Sequence, residues 1–341
     1  MMTDGRSDKV IKMKFGIEFS PEKPTYWLAY YARDAEDAGF DHVWITDHYN
    51  NRNVYSAMTD IAYNTNKVLI GSAVTNPYVC NPVWTSTAIF TIDEISGGRA
   101  VFGIGAGDKM TLNAIGIKWE KPLAAVKETV EIFRQLNETK KCTYHGTFFD
   151  IPNARIKKKP PHAVPVYIGA QGPKMLRMSA ALADGVLVNA SHPRDFGPAV
   201  EALKKGVKDA KRDISEIDVA AYTSFSIDEK RDKAVKKARI VAGAIAVGSP
   251  DFVLERHGIE TETAEAIKEM VASQDFKTMK EGGVPDHVVE AFSIAGTPDD
   301  CVEKIEALGK AGVTQVVTGM PLGKSKPDAI KLIKKKVIPH F

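Results

Sequence analysis

Apolar residues along the chain fall into short runs separated by longer amphipathic stretches. Residues 13–19 read as a strand: Phe15, Ile17 and Phe19 share one face, and Gly16 and Glu18 the other. Residues 26–38 follow with helical spacing and stop at Gly39, a residue that tolerates a left-handed C-terminal turn. The alternation then repeats. Strands are predicted at 42–45, 68–74, 100–104, 164–168, 186–189, 219–226 and 313–318. Helices are predicted at 54–65, 82–95, 122–136, 173–183, 196–211, 298–311 and 326–337. Residues 140–161, rich in Lys and Pro, read as an irregular excursion, and 228–292 as a mostly helical insertion before the last unit.

Eight strands alternating with helices predict an α/β fold, a parallel sheet closed into a (β/α)8 TIM barrel with insertions. It is read as one domain over 13–341, preceded by a polar extension over 1–12. The structural rival is an open doubly wound sheet, which places a glycine-rich dinucleotide turn after its first strand. Here that position holds Phe19-Ser20-Pro21-Glu22. The length of 341 residues is ample for such a barrel.

Composition narrows the setting. No run of 18 apolar residues predicts a membrane span, and the N-terminus lacks the apolar segment of a signal peptide. Cys80, Cys142 and Cys301 are far apart, and no CxxC or CxxxH spacing predicts a zinc site or a disulfide framework. No metal is expected, and a reducing cytoplasm is the simplest location. The net charge of +3 is too small to suggest nucleic-acid binding, so Lys157–Lys159 and Lys334–Lys336 read as solvated surface.

In a barrel, chemistry sits at the C-terminal ends of the strands. The polar residues there form a ring: Glu18, Thr46, Asp47, His48, Thr75, Asn76, Asp108, Gln171, Asn189 and Ser191. Such a ring argues against a non-catalytic barrel. Glu18 points into the mouth, where partial desolvation raises a carboxyl pKa and suits it to acid–base work. The alternative is a buried carboxylate paired with a neighbouring Lys or Arg. Asp108 follows Gly103-Ile104-Gly105-Ala106-Gly107, glycines that let backbone approach a ligand; the alternative is a tight exit with Asp108 capping the next turn. Gly172, Pro173 and Lys174 open a helix and could anchor a phosphate on free N–H groups, or form an ordinary turn. Asp47-His48 could relay protons, though His48 is read as a hydrogen-bonding group. Trp44 and Trp84 are read as packing, Met110 as a gap-filler, and His257 and His287 as structural.

FGIEF, WITDHYNNRN, VTNPY, GIGAGDK, IGAQGPKML and GTPDD occur in that order. Together they closely resemble the coenzyme F420-dependent methylenetetrahydromethanopterin reductases of the bacterial-luciferase-like superfamily, from about residue 13 to the C-terminus. The resemblance implies reversible hydride transfer between reduced F420, a dissociable deazaflavin cosubstrate, and methylenetetrahydromethanopterin or a close pterin analogue. It implies Glu18 as the acid that opens the methylene carrier and Asp108 as a second active-site carboxylate. Asp47, His48, Ala73, Val74, Thr75, Asn76, Ala106, Gly107, Gln171, Gly172, Pro173 and Lys174 would contact the deazaflavin. A non-prolyl cis peptide is implied at Ala73–Val74, and a homodimer or homotetramer as the assembly. Ala106 stands where Pro is frequent, which implies a looser loop, and Cys80 where Arg is expected. The competing reading is an FMN-dependent monooxygenase of the same superfamily.

Overall fold

A computed structural model describes residues 12–341; the polar extension over 1–12 lies outside them apart from Lys12. Eleven strands occur among the described residues: β1 (Lys14–Phe19), β2 (His42–Ile45), β3 (Leu69–Ser72), β4 (Ala100–Gly105), β5 (Lys141–His145), β6 (Asp150–Arg155), β7 (Val166–Gly169), β8 (Gly185–Asn189), β9 (Asp218–Ile227), β10 (Ser293–Gly296) and β11 (Gln315–Gly323). Eight of them close into a parallel barrel in the order β1-β2-β3-β4-β7-β8-β9-β11, with β11 returning to β1. Closure excludes the open doubly wound sheet. The short β10 pairs with the upper half of β9.

All eight barrel strands lie where the hydrophobic pattern predicts them, with ends within two residues except that β11 runs on to Gly323, five residues past the predicted end. Helices α1 (Thr25–Ala38), α2 (Val54–Asn64), α3 (Pro82–Ser96), α4 (Lys109–Ala114), α5 (Pro122–Thr139), α6 (Pro173–Leu182) and α7 (Pro193–Asp209) begin and end on local signals. The Asn53 side chain accepts from Ser56 N at the start of α2, and Asn81 accepts from Val83 N before Pro82 at the start of α3. Gly39 and Gly97 close α1 and α3 in left-handed conformations. Residues 231–292 are helical for most of their length, and helices Pro298–Lys310 and Lys326–Lys336 flank β11.

One expectation fails. Residues 140–161 are not irregular: β5 and β6 form an antiparallel hairpin. Within its strands only Cys142 and Ile151 are buried, so the alternation is too sparse to read. What fixes the hairpin is remote. The buried Glu128 carboxylate on α5 accepts the N–H groups of Thr147, Phe148 and Phe149 at 2.7–2.9 Å, satisfying three donors of the turn at once.

The outward faces of the strands, Phe15, Ile17 and Phe19 among them, pack under the helices. The interior is filled separately. Trp44 is fully buried at its centre, and the absence of side chains on Gly16 and Gly71 leaves room for it; a Cβ on Gly71 would lie 2.3 Å from the Trp44 ring. Trp44 Nε1 donates to Gln315 Oε1 (2.9 Å), and Gln315 Nε2 donates to Asp218 Oδ2 (2.9 Å). Tyr167 Oη (2.7 Å), Lys14 Nζ (3.1 Å) and Thr314 Oγ1 (2.5 Å) also donate to Asp218. Burial alone would raise the Asp218 carboxyl, but the Lys14 ammonium and these hydrogen bonds hold it below the usual range. This network plugs the lower barrel and leaves the mouth above it.

His42 stacks parallel on Trp44 at 5.4 Å, and neither ring nitrogen meets a protein partner. Burial pushes its pKa down to about 4. The unfolded chain therefore binds a proton near pH 6.5 that the folded chain refuses until about pH 4. The stabilising term from neutral His42 is complete above pH 6.5 and is lost as pH falls towards 4. That loss should amount to about 3 kcal/mol. Between neutral and mildly acidic pH the urea midpoint should fall less in His42→Leu than in the wild type; identical acid sensitivity in both would contradict this.

Candidate active site

The strand ends enclose a cavity of about 1210 Å³. Its wall takes Asp47 and His48 after β2, Ala73, Val74 and Asn76 after β3, and Gly105–Asp108 at β4. Gly169–Gly172 after β7, Leu187 and Asn189 of β8, and Tyr222 of β9 complete it. A second groove of about 980 Å³ runs along the outer face of α3 past Lys157–Lys159 and gathers none of the strand-end polar groups except through Trp84 on the shared ridge.

The Ala73–Val74 peptide is cis, at the position the motif alignment implies. Val74 projects into space cleared by two glycines. A Cβ on Gly105 would lie 2.6 Å from Val74 and one on Gly169 3.3 Å from it. The floor of the cavity is thus apolar, formed by Ala73, Val74 and Leu187.

Around that floor the polar groups are held by local bonds. Asp47 is half-buried; burial raises its carboxyl, against a hydrogen bond from Thr75 and the charge of His48. Thr75 is buried behind the wall, 3.4 Å from Tyr55 Oη. Asn76 Oδ1 accepts Tyr78 N (3.0 Å) and fixes the turn after β3. Gln171 Nε2 donates to Asn189 O (3.2 Å), tying β7 to β8 across the rim. Ala106 O accepts Trp119 Nε1 at 2.7 Å, so the loop expected to be looser is anchored from outside.

Glu18 stands beside this cavity, not in its wall. Its carboxyl occupies the space a side chain on Gly319 would fill, with Oε2 only 2.5 Å from a Cβ built there. Burial raises its pKa to about 7, against hydrogen bonds from Tyr222 and the Met320 backbone and the nearby Lys326 ammonium; Glu22 pushes it further up. The position expected from the alternation of β1 is the one observed. The alternative of a paired carboxylate is met only in part, because Lys326 is too weak a partner to bring Glu18 back to the usual carboxylate range.

Asp108 lies at the cavity edge and caps α4: its Oδ1 accepts Thr111 N at 2.7 Å and Thr111 Oγ1 at 2.6 Å. Both readings of that residue therefore describe the same place. Gly172 lines the cavity, whereas Pro173 and Lys174 are exposed at the first turn of α6. Trp84, read as packing, is 72% exposed on the rim, and Met110 is 81% exposed instead of filling a gap. His257, read as structural, bonds the buried Asp195 at 3.0 Å beside Arg256. Sequence reading missed Tyr222, Lys326 and Trp119. The signal for Tyr222 was available: Ala220 and Tyr222 alternate inward along β9.

The sequence profile of the luciferase-like monooxygenase family matches residues 18–315. The 5,10-methylenetetrahydromethanopterin reductase of Archaeoglobus fulgidus is 52% identical over 333 residues, covering 96% of this chain and all of that protein. That of Methanolobus tindarius is 49% identical, with 96% and 100% covered. The chain belongs to the methylenetetrahydromethanopterin reductases of the luciferase-like family. The solved coenzyme F420-dependent tetrahydromethanopterin reductase of Methanopyrus kandleri superposes with a TM-score of 0.93 at 45% identity, covering 97% of this chain and 99% of that one. Two solved monooxygenases align at 19% and 12% identity and share the fold alone.

A reductase of this family with Glu18 in such a seat carries a stability signature. The folded chain holds a proton on Glu18 up to about pH 7, whereas the unfolded chain releases it near 4.5. The contribution is fully present below the unfolded value and is lost as pH rises through the folded one. Glu18→Gln should therefore melt higher than the wild type at pH 8, and the gap should shrink below about pH 5. An equal gap at both pH values would show that Glu18 is not held protonated.

Proposed function

We propose that the protein catalyses reversible hydride transfer between reduced coenzyme F420 and methylenetetrahydromethanopterin, forming the methyl carrier. The reading is carried by one observation: a carboxyl whose burial raises its pKa to about 7, seated beside a cavity with an apolar floor in a chain about half identical to reductases of that name. Reduced F420, when bound, supplies the hydride.

The cavity suits a planar ring system. Ala73, Val74 and Leu187 offer an apolar face, and Asp47, Asn76 and Gln171 offer hydrogen bonds at its edge. Thr75 fixes Asp47 from behind. Gly107 and Ala106 bring backbone to the rim. The first turn of α6 presents free N–H groups at Gly172 and Pro173's neighbours, and Lys174 adds a cation there, which together suit a phosphate. His48 completes the polar edge. No group of three or more His, Cys, Asp or Glu side chains able to hold a metal occurs among the described residues.

The chain's own chemistry is a proton transfer. The methylene group bridges two ring nitrogens, and it accepts hydride only after one C–N bond opens to an iminium ion. Opening needs a proton on the departing nitrogen. Glu18, which keeps a substantial share of its protons near neutral pH, gives it and is left as a carboxylate. Hydride then adds to the iminium carbon, and Glu18 regains its proton for the next cycle. Asp108, held as a cap at the cavity edge, orients the carrier rather than transferring a proton. The enzyme acts in the cytoplasm as a homodimer or homotetramer.

Anaerobic oxidation of reduced F420, followed by its absorbance, should occur on adding methylenetetrahydromethanopterin and not on adding oxygen alone. Glu18→Gln should bind the deazaflavin normally yet lose about 100-fold or more in turnover. A folded Glu18→Gln enzyme with near wild-type turnover would remove Glu18 as the acid.

A further inference from the structure

Tyr222 has no role in the sequence reading, yet it is the residue that touches both halves of the site. It projects inward from β9 into the cavity wall. Its hydroxyl bonds the carbonyl oxygen of Ala73 on the cavity floor at 3.4 Å, and the Glu18 carboxyl lies close enough to act on it as a second, competing acceptor. A phenol has one proton to donate. With two acceptors in reach, that proton can serve only one of them at a time.

The protonation state of Glu18 decides which. When Glu18 is a carboxylic acid, its own O–H is a donor and the phenol is free to donate to Ala73 O. When Glu18 is a carboxylate, it is the stronger acceptor, and a charge-assisted bond from the phenol is shorter and stronger than one to a neutral carbonyl. We propose that Tyr222 is the positioning residue for Glu18: its hydroxyl proton swings from the Ala73 carbonyl to the Glu18 carboxylate as Glu18 gives up its proton. The bond is thus strongest in the state the reaction produces, so it favours the transfer step over the resting state. Nothing else in the molecule is consumed. One O–H bond breaks at Glu18, one N–H forms on the carrier, and the phenol proton only changes acceptor.

The surroundings leave this duty to Tyr222. Lys326 approaches Glu18 from the helix Lys326–Lys336 but is also drawn to Glu22 and lies over the Tyr31 ring at 5.9 Å. Glu22, in the loop after β1, opposes ionisation of Glu18. Asp47 and His48 on the next strand end interact with Thr75 and with each other. The Met320 backbone is a fixed donor. A phenylalanine at 222 would fill the same space against Ala73 and Leu187, so packing alone does not explain a hydroxyl desolvated at this point.

The inference rests on Glu18 being the acid, but its test needs neither cofactor nor turnover. The carboxylic C=O stretch of Glu18, assigned by its loss in Glu18→Gln, is titrated by infrared difference spectroscopy in the ligand-free protein. The wild-type midpoint is expected near 7. Tyr222→Phe should raise it by about one pH unit. Site-specific 3-fluorotyrosine at 222, a stronger donor of unchanged shape, should lower it and keeps the test intact if Tyr222→Phe is poorly folded. With F420 and carrier present, Tyr222→Phe should lose about 10- to 100-fold in turnover with cofactor affinity nearly unchanged. Midpoints that coincide in wild type and both variants would overturn the proposal, as would a shift in the same direction for Phe and fluorotyrosine.

Discussion

A carboxyl that keeps its proton up to about pH 7 needs a place where water is scarce and no cation stands close enough to offset the burial. In this barrel Glu18 has such a place because the interior beneath it is solid. Trp44, Gln315, Tyr167 and Asp218 lock together across the lower barrel and deny solvent a route from below. Lys14, at the foot of the same strand, is committed to Asp218, and Lys326, the ammonium near Glu18, is shared with Glu22. The two inward carboxyls therefore diverge. Asp218, bound by a cation and several donors, is held as an anion. Glu18, desolvated and only lightly supported, keeps its proton up to about pH 7. Environment alone separates a structural carboxylate from a reactive one.

The same closure builds the cavity. Each strand end contributes one or two groups, and short bonds across the rim fix them: Gln171 to Asn189, Trp119 to Ala106, Asp108 to Thr111. The floor is set by what is missing, since Gly105 and Gly169 make room for Val74 and Gly319 makes room for the Glu18 carboxyl.

The eight strands were legible because each carries a continuous or alternating apolar run of the right length, and closure follows from their number and parallel order. Glu18 was legible from the alternation of β1, and the cis bond from the motif around Thr75 and Asn76. The β5–β6 hairpin was not, because its strands bury little of their own and depend on Glu128 of α5. Asp108 could be read only as an ambiguity, since a cap and a cavity-edge carboxylate have the same local sequence. Trp84 misled because a tryptophan on an amphipathic helix usually packs inward. The inward position of Tyr222 was legible from the alternation of β9, but not its role, because Glu18 lies at the other end of the chain and comes near it only through barrel closure.

The central claim is that Glu18 delivers a proton from a carboxyl poised near neutrality. The most direct test is the pH dependence of hydride transfer in a single turnover with enzyme in excess, monitored through the absorbance of F420. The rate should fall with a one-proton slope as pH rises through about 7, and the low residual rate of Glu18→Gln should show no such step. A wild-type rate that is flat across this range, or a step that persists in Glu18→Gln, would contradict the account.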